Sequence, residues 1–233
     1  MRSVAPARAA PPRGGSATVV TGCDAGRSRS CGCAGGSTTA LLVPWAESVA
    51  AALKGRGGFT LIALDGMGGS GKSTLAQRLA EQFGATIVHG DDFYRPMDAD
   101  ERAALTPEQG YERYFDWQRL RAEVLEPLAA GHDAAYRRYD WGTGDLAPDE
   151  KHAVARAGVV VVEGVYAARP ELAAFYDLVV YVDTPRDESM RRLRARGDDH
   201  GPLDWEARWR TAEEHYLATA HPKDRADLVV PGH

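Results

Sequence analysis

The run Gly66-Met67-Gly68-Gly69-Ser70-Gly71-Lys72-Ser73 meets every position of the pattern G-x-x-x-x-G-K-[ST], the spacing with which a backbone loop cradles phosphate. Glycines let the chain turn so that successive N–H groups point inward. A helix that begins there adds its unpaired N–H groups and the positive end of its dipole. Gly66, Gly68, Gly69, Ser70, Gly71, Lys72, Ser73 and Thr74 are therefore the candidate phosphate contacts. Lys72 is long enough to reach the β- and γ-phosphates of a nucleotide, and the Ser73 hydroxyl can ligate Mg²⁺. A glycine-rich turn with no ligand is the bland alternative, and the flanking text speaks against it. Phe59 to Asp65 (FTLIALD) is apolar and β-prone, and Ser73 to Phe83 (STLAQRLAEQF) sets Leu75, Leu79 and Phe83 at helical spacing.

Three further groups could serve such a loop. Asp91 and Asp92, in the run His89-Gly90-Asp91-Asp92-Phe93-Tyr94, form a carboxylate pair after a strand-like piece. Either could take the proton of an attacking alcohol; an Asx turn or helix cap is the structural alternative. Glu163 ends the apolar run Val159 to Glu163, where a carboxylate can hold Mg²⁺ directly or through water, unless it is a buried structural acid with some partner. Asp187 to Arg196 reads as a basic helix on which Arg192 and Arg196, four apart, share a face that could meet a transferred phosphoryl group. A solvated face balanced by neighbouring acids remains the alternative.

These groups need a scaffold that gathers them at one edge. Short apolar runs at Ala85 to His89, Val159 to Glu163, Leu178 to Asp183 and Asp227 to Val230 join Phe59 to Asp65, and helical stretches separate them. Strands apolar on both faces indicate a parallel sheet covered on both sides, an α/β three-layer domain whose ligands gather beyond the carboxyl ends of the strands. The 233 residues, 44% hydrophobic, suffice for one domain with a real core. The net charge of −5 carries no signature of nucleic-acid binding. No apolar run approaches bilayer length, so no membrane association is expected and the chain reads as a soluble, cytoplasmic protein.

Residues 1–42, rich in Ala, Gly, Ser, Pro and Arg, read as a disordered leader, and residues 43–233 as the working domain. An organelle transit peptide, or a translation start further downstream, are the other readings of that leader. Cys23, Cys31 and Cys33 all fall within it, which leaves the fold without a disulfide framework and offers at most half a metal site. Pro44 to Leu53 is expected to be a short helix leading into the first strand.

Together the segments GMGGSGKST, GDDFYRP, YFDWQRL, RRYDWGTGDL and VVVVEGVYA resemble the uridine kinase-like branch of P-loop kinases, which includes uridine-cytidine kinases, nicotinamide riboside kinases, pantothenate kinase and phosphoribulokinase. The resemblance covers about residues 58–231. It implies a P-loop fold with strand order 2-3-1-4-5 and a small lid carrying arginines, ATP and Mg²⁺ as cofactors, and a small-molecule phosphoacceptor. It further implies Asp91 as catalytic base, Asp116 after Phe115 as the ribose-binding acid, Tyr139 and Trp141 with Tyr94 lining the acceptor pocket, and Glu163 as the Mg²⁺-associated acid. Uridine-cytidine kinases carry a base-contacting His shortly after the Y-D-F segment; Trp141-Gly142-Thr143-Gly144 stands here instead. The implied activity is phosphoryl transfer to the 5′-hydroxyl of a ribonucleoside. The rivals are another acceptor (nicotinamide riboside, pantothenate, a sugar, an antibiotic) or an ATP-binding regulatory module.

Overall fold

The apolar runs form five parallel strands: β1 (Thr60–Asp65), β2 (Thr86–His89), β3 (Val159–Glu163), β4 (Leu178–Asp183) and β5 (Leu228–Pro231). The computed structural model describes residues 18–19, 43–54, 58–196 and 205–232. Spatial order along the sheet is β2-β3-β1-β4-β5, the 2-3-1-4-5 arrangement expected. Each strand's alternate residues enter opposite cores. On β1, Leu61 and Ala63 pack with Val88, Val124, Leu128 and Val160 on one face. Ile62 and Leu64 pack with Leu75, Leu79 and Val161 on the other. A strand buried on both faces is apolar along its middle, and β1 keeps its polar residues, Thr60 and Asp65, for its ends.

Thr18–Val19 adds a short parallel edge strand beside β5, pairing with Leu228 and Val229. This departs from a leader wholly apart from the domain. An edge strand leaves a row of backbone groups open, which a β-prone dipeptide can pair. The rest of that leader, with its three cysteines, lies outside the described residues.

Helices cover the two faces. α1 (Val43–Leu53) begins one residue before its expected start and buries Val49. α2 (Lys72–Phe83) follows the phosphate loop and ends at Gly84, whose left-handed backbone (φ 63°) sends its N–H to Ala80 O. Between β2 and β3 lies a long insertion. It contains a 3₁₀ turn (Gly90–Phe93), α3 (Pro107–Arg113) held by a Thr106–Gln109 capping box, and a continuous helix from Trp117 to Ala129. That helix widens to a π turn at Arg121–Leu125, next to Pro127, which has no N–H to give the α-helical ladder. Two small antiparallel ribbons complete the insertion, Ala134–Tyr136 with His152–Val154 and Tyr139–Asp140 with Asp145–Leu146. After β4 come α4 (Arg186–Arg196) and α5 (Trp205–Ala220).

Candidate active site

The end of β1 delivers the phosphate loop. Gly69 has φ 74°, and a Cβ there would lie 2.3 Å from Ser189 O of α4, so no other residue fits. Gly71, at φ 100°, caps α2 and turns the first helical N–H groups toward the loop. Lys72 is buried and donates to Met67 O at 2.9 Å, curling back over the concavity. The Ser70 carbonyl accepts from Thr184 Oγ1 at 2.9 Å, which ties the loop to the chain after β4.

Ser73 Oγ lies 3.3 Å from both Glu163 carboxylate oxygens, and His89 Nδ1 lies 2.7 Å from Glu163 Oε1. The ends of β1, β3 and β2 thus contribute Ser73, Glu163 and His89 to one polar chain. The bond to Glu163 raises the His89 pKa, against partial desolvation, with Asp92 and Asp91 adding to it. His89 had no role assigned from sequence; adjacency to a metal-type acid across two strands has no local signal. Among the described residues no group of three His, Cys, Asp or Glu could cage a metal ion. Two adjacent oxygen donors suit Mg²⁺, which keeps several waters and is completed by substrate phosphates. Ser73 and Glu163 fit that ion.

The two neighbouring aspartates are used differently. Asp92 accepts from Tyr136 Oη at 2.8 Å, and its carbonyl accepts from Arg119 Nη2 at 2.8 Å. Asp91 is exposed to solvent. Crowding by protein raises its pKa, the Glu163 charge adds to that, and Lys72 and His89 oppose it.

Asp116 caps the helix that starts at Trp117, accepting from Arg119 N at 3.1 Å, and pairs with Arg95 Nη2 at 3.2 Å. Both bonds land on Oδ1. Around it the structure brings together the expected aromatics. Tyr94 is fully buried, stacked on Trp141 at 4.8 Å and on Trp209 of α5 at 5.8 Å, and meets Phe115 (5.5 Å) and Tyr139 (5.1 Å) edge-on. Tyr94 and Phe115 therefore form the floor, whereas Trp141, 59% exposed, is the ring open to solvent. Behind them, the space lined by Gly90, Phe115, Trp117 and Arg169 measures only about 20 Å³, enough for one water. Arg169, absent from the sequence reading, is 1% exposed and sandwiched between Tyr111 and Trp117, each ring centroid 4.5 Å from its Cζ. It locks the segment that bears Phe115 and Asp116 against the chain following Glu163.

α4 packs on the loop through Ser189 and Leu193, both close to Gly69. Arg192 gives Nε to Glu188 at 2.6 Å, and its buried Nη1 has no partner. Arg196 is exposed at the end of α4, just before residues 197–204, which lie outside the described residues together with the expected lid tip. Arg194 turns away to Glu206 at 3.4 Å. A hollow of about 380 Å³ between α4 and α5, lined by Arg186, Met190, Arg194 and Arg210, includes no loop residue.

A parallel 2-3-1-4-5 sheet with this loop after its central strand, and acids at the ends of two neighbours, defines a P-loop kinase. The chain belongs to the phosphoribulokinase/uridine kinase family, whose model matches residues 61–231, and it is accordingly a small-molecule kinase that uses ATP. It is 28% identical over 189 residues to a uridine kinase of Clostridium perfringens, covering 73% of this chain and 86% of that one. A pantothenate kinase of a Nocardioides species is 28% identical over 141 residues, 53% of this chain and 43% of that one. Among solved structures, one described as a possible uridine kinase from Bacillus stearothermophilus matches with TM-score 0.60 and 26% identity over 79% of this chain and 95% of that one. A candidate fructose transport system kinase from Silicibacter sp. TM1040 matches with TM-score 0.59 and 27% identity over 82% and 98%. No helix among the described residues is long and apolar enough to cross a membrane.

Proposed function

We propose that this kinase transfers the γ-phosphoryl group of ATP to the 5′-hydroxyl of a ribonucleoside such as uridine or cytidine. The observation that carries the reading is the division of labour between the adjacent aspartates: Tyr136 occupies Asp92, while Asp91 is exposed and lies within the field of Lys72 and Glu163. In this account the acceptor oxygen attacks the γ-phosphorus in line, Asp91 takes its proton, and ADP leaves. Lys72 and the loop amides hold the phosphates and oppose their growing charge, and Arg192 and Arg196 reach the transferring group from α4. Such positioning and charge neutralisation are most of what phosphoryl transfer asks of a protein. Ser73 and Glu163 would hold Mg²⁺, which would supply charge neutralisation to the phosphates when bound. Asp116 Oδ2 is available to the 2′- and 3′-hydroxyls of a ribose, and Trp141 offers a face for a base.

One observation favours a second acceptor class. Trp141-Gly142-Thr143-Gly144 provides no histidine where uridine-cytidine kinases contact the base, so a sugar or a vitamin such as pantothenate is the rival. Incubating the enzyme and Mg²⁺-ATP with a panel of nucleosides, vitamins and sugars, and identifying products by mass, decides between them. A nucleoside 5′-monophosphate is the expected dominant product; phosphorylation of a non-nucleoside at far higher kcat/KM overturns the assignment. ADP release that no acceptor stimulates would instead fit a regulatory ATP-binding module.

A further inference from the structure

Two side chains of α5, one helical turn apart, reach the phosphate loop from behind. Glu213 is buried, 7% exposed, and its Oε1 accepts from the Gly68 N–H at 3.1 Å. Tyr216, also buried, donates to Asp65 Oδ2 at 2.6 Å, and Asp65 Oδ1 accepts from the Gly66 N–H at 2.6 Å. The first and third residues of the loop are thus suspended from a helix that lies far away in sequence. A Cβ on Gly68 would meet Glu213 Oε1 at 3.1 Å and Leu193 Cδ1 at 3.4 Å, so α4 and α5 close on this amide from two sides.

Among the described residues no cation bonds to the Glu213 carboxylate. The charged groups around it are Lys72 on α2, Asp65 at the end of β1 and Glu214 on its own helix, with the Tyr166 and Tyr181 hydroxyls close enough to sense it. Burial pushes Glu213 up to about 7, against the pull of Lys72 and the Gly68 N–H. A carboxylate buried without a cation is costly, and the cost rises when phosphate charge arrives on the other side of the same loop.

We infer that Glu213 is a positioning residue for nucleotide binding: its oxygen fixes the loop through Gly68, and its negative charge, buried near Lys72, weakens the loop's hold on phosphate. This rests on the reading that the loop binds ATP. Filling the loop with triphosphate then favours the protonated acid, which takes its proton from solvent and still accepts from Gly68 through its carbonyl oxygen.

Two variants of the full chain separate the oxygen from the charge. Glu213→Gln keeps an acceptor and removes the charge; Glu213→Leu removes both. ATP dissociation constants are measured by calorimetry at pH 6 and pH 8, with Tm recorded for each protein. Glu213→Gln should match the wild type at pH 6 and bind at least about threefold tighter at pH 8, where the wild type carries the charge. Glu213→Leu should raise the ATP Kd and KM at least about tenfold at both pH values, with the acceptor KM unchanged. If both variants track the wild type at both pH values, the inference is wrong. Should Glu213→Leu fail to fold, the Glu213→Gln comparison alone decides. Failure of the wild type itself to bind ATP would condemn the kinase reading instead.

Discussion

At the end of β1 the phosphate-binding surface is backbone, with Gly69 and Gly71 in left-handed conformations and Lys72 folded over its own loop. Past the end of β2 the surface to which we assign the acceptor is side chain, a shelf of Tyr94, Phe115, Tyr139, Trp141 and Trp209 beside an Asp116 already shared between a helix cap and Arg95. Backbone geometry binds any nucleoside triphosphate through its phosphates and tolerates little substitution. A shelf of rings can be re-cut by changing one residue. On the proposed function, ATP use belongs to the scaffold and acceptor choice to the β2–β3 insertion together with Trp209 of α5.

The backbone side breaks first at Lys72. Lys72→Ala should lower kcat at least about a hundredfold, since it removes the cation from the transferring phosphates. Steady-state kinetics with Tm measured alongside test this; near-wild-type turnover in a folded variant would remove the phosphate role of the loop.

On the acceptor side the effects should be smaller and acceptor-specific. If Asp116 binds a ribose diol, a 2′-deoxynucleoside should lose at least about tenfold in kcat/KM, because a half-buried carboxylate that the bound nucleoside shields from water is left unpaired. Asp116→Ala should erase most of that preference, and by deleting the helix cap should also cost about 1 kcal/mol of stability. Asp116→Asn keeps a capping oxygen and separates the two losses. Equal use of deoxynucleosides by the wild type would leave Asp116 a cap and a partner of Arg95.

A pH effect on stability should arise from behind the loop. Glu213 rises in the folded chain from 4.5 to about 7, so the folded state holds that proton more tightly than the unfolded state does. The resulting stabilisation is complete below about pH 4.5 and is lost as pH rises through 7. Chemical denaturation at pH 5 and pH 8 should therefore show Glu213→Gln gaining on the wild type by on the order of 2–3 kcal/mol across that window. An unchanged difference would mean that the carboxylate is better solvated than its burial implies.

The same contrast explains what the sequence could tell. Loop and sheet follow local rules, so the five strands fall within a residue of the apolar runs, and Gly66 to Ser73 stand where a strand meets a helix. The aspartate pair was legible as a pair, but its division depends on Tyr136, which arrives from a ribbon 44 residues on. Glu213 and Tyr216 meet the loop across 145 and 151 residues, and within α5 they look like ordinary helical positions. His89 and Arg169 were hidden for the same reason: neighbours from other strands and helices, not their own sequence context, give them partners.

The sharpest test compares Asp91→Asn with Asp92→Asn by single-turnover phosphoryl transfer at saturating ATP and acceptor, with the ATP Kd of each measured independently. The account predicts that Asp91→Asn binds ATP within about twofold of the wild type yet transfers phosphate roughly 10² to 10⁴ times more slowly, the range for a positioned general base. Asp92→Asn should be much milder. Transfer by Asp91→Asn at a rate near that of the wild type, or a larger loss in Asp92→Asn, would contradict it.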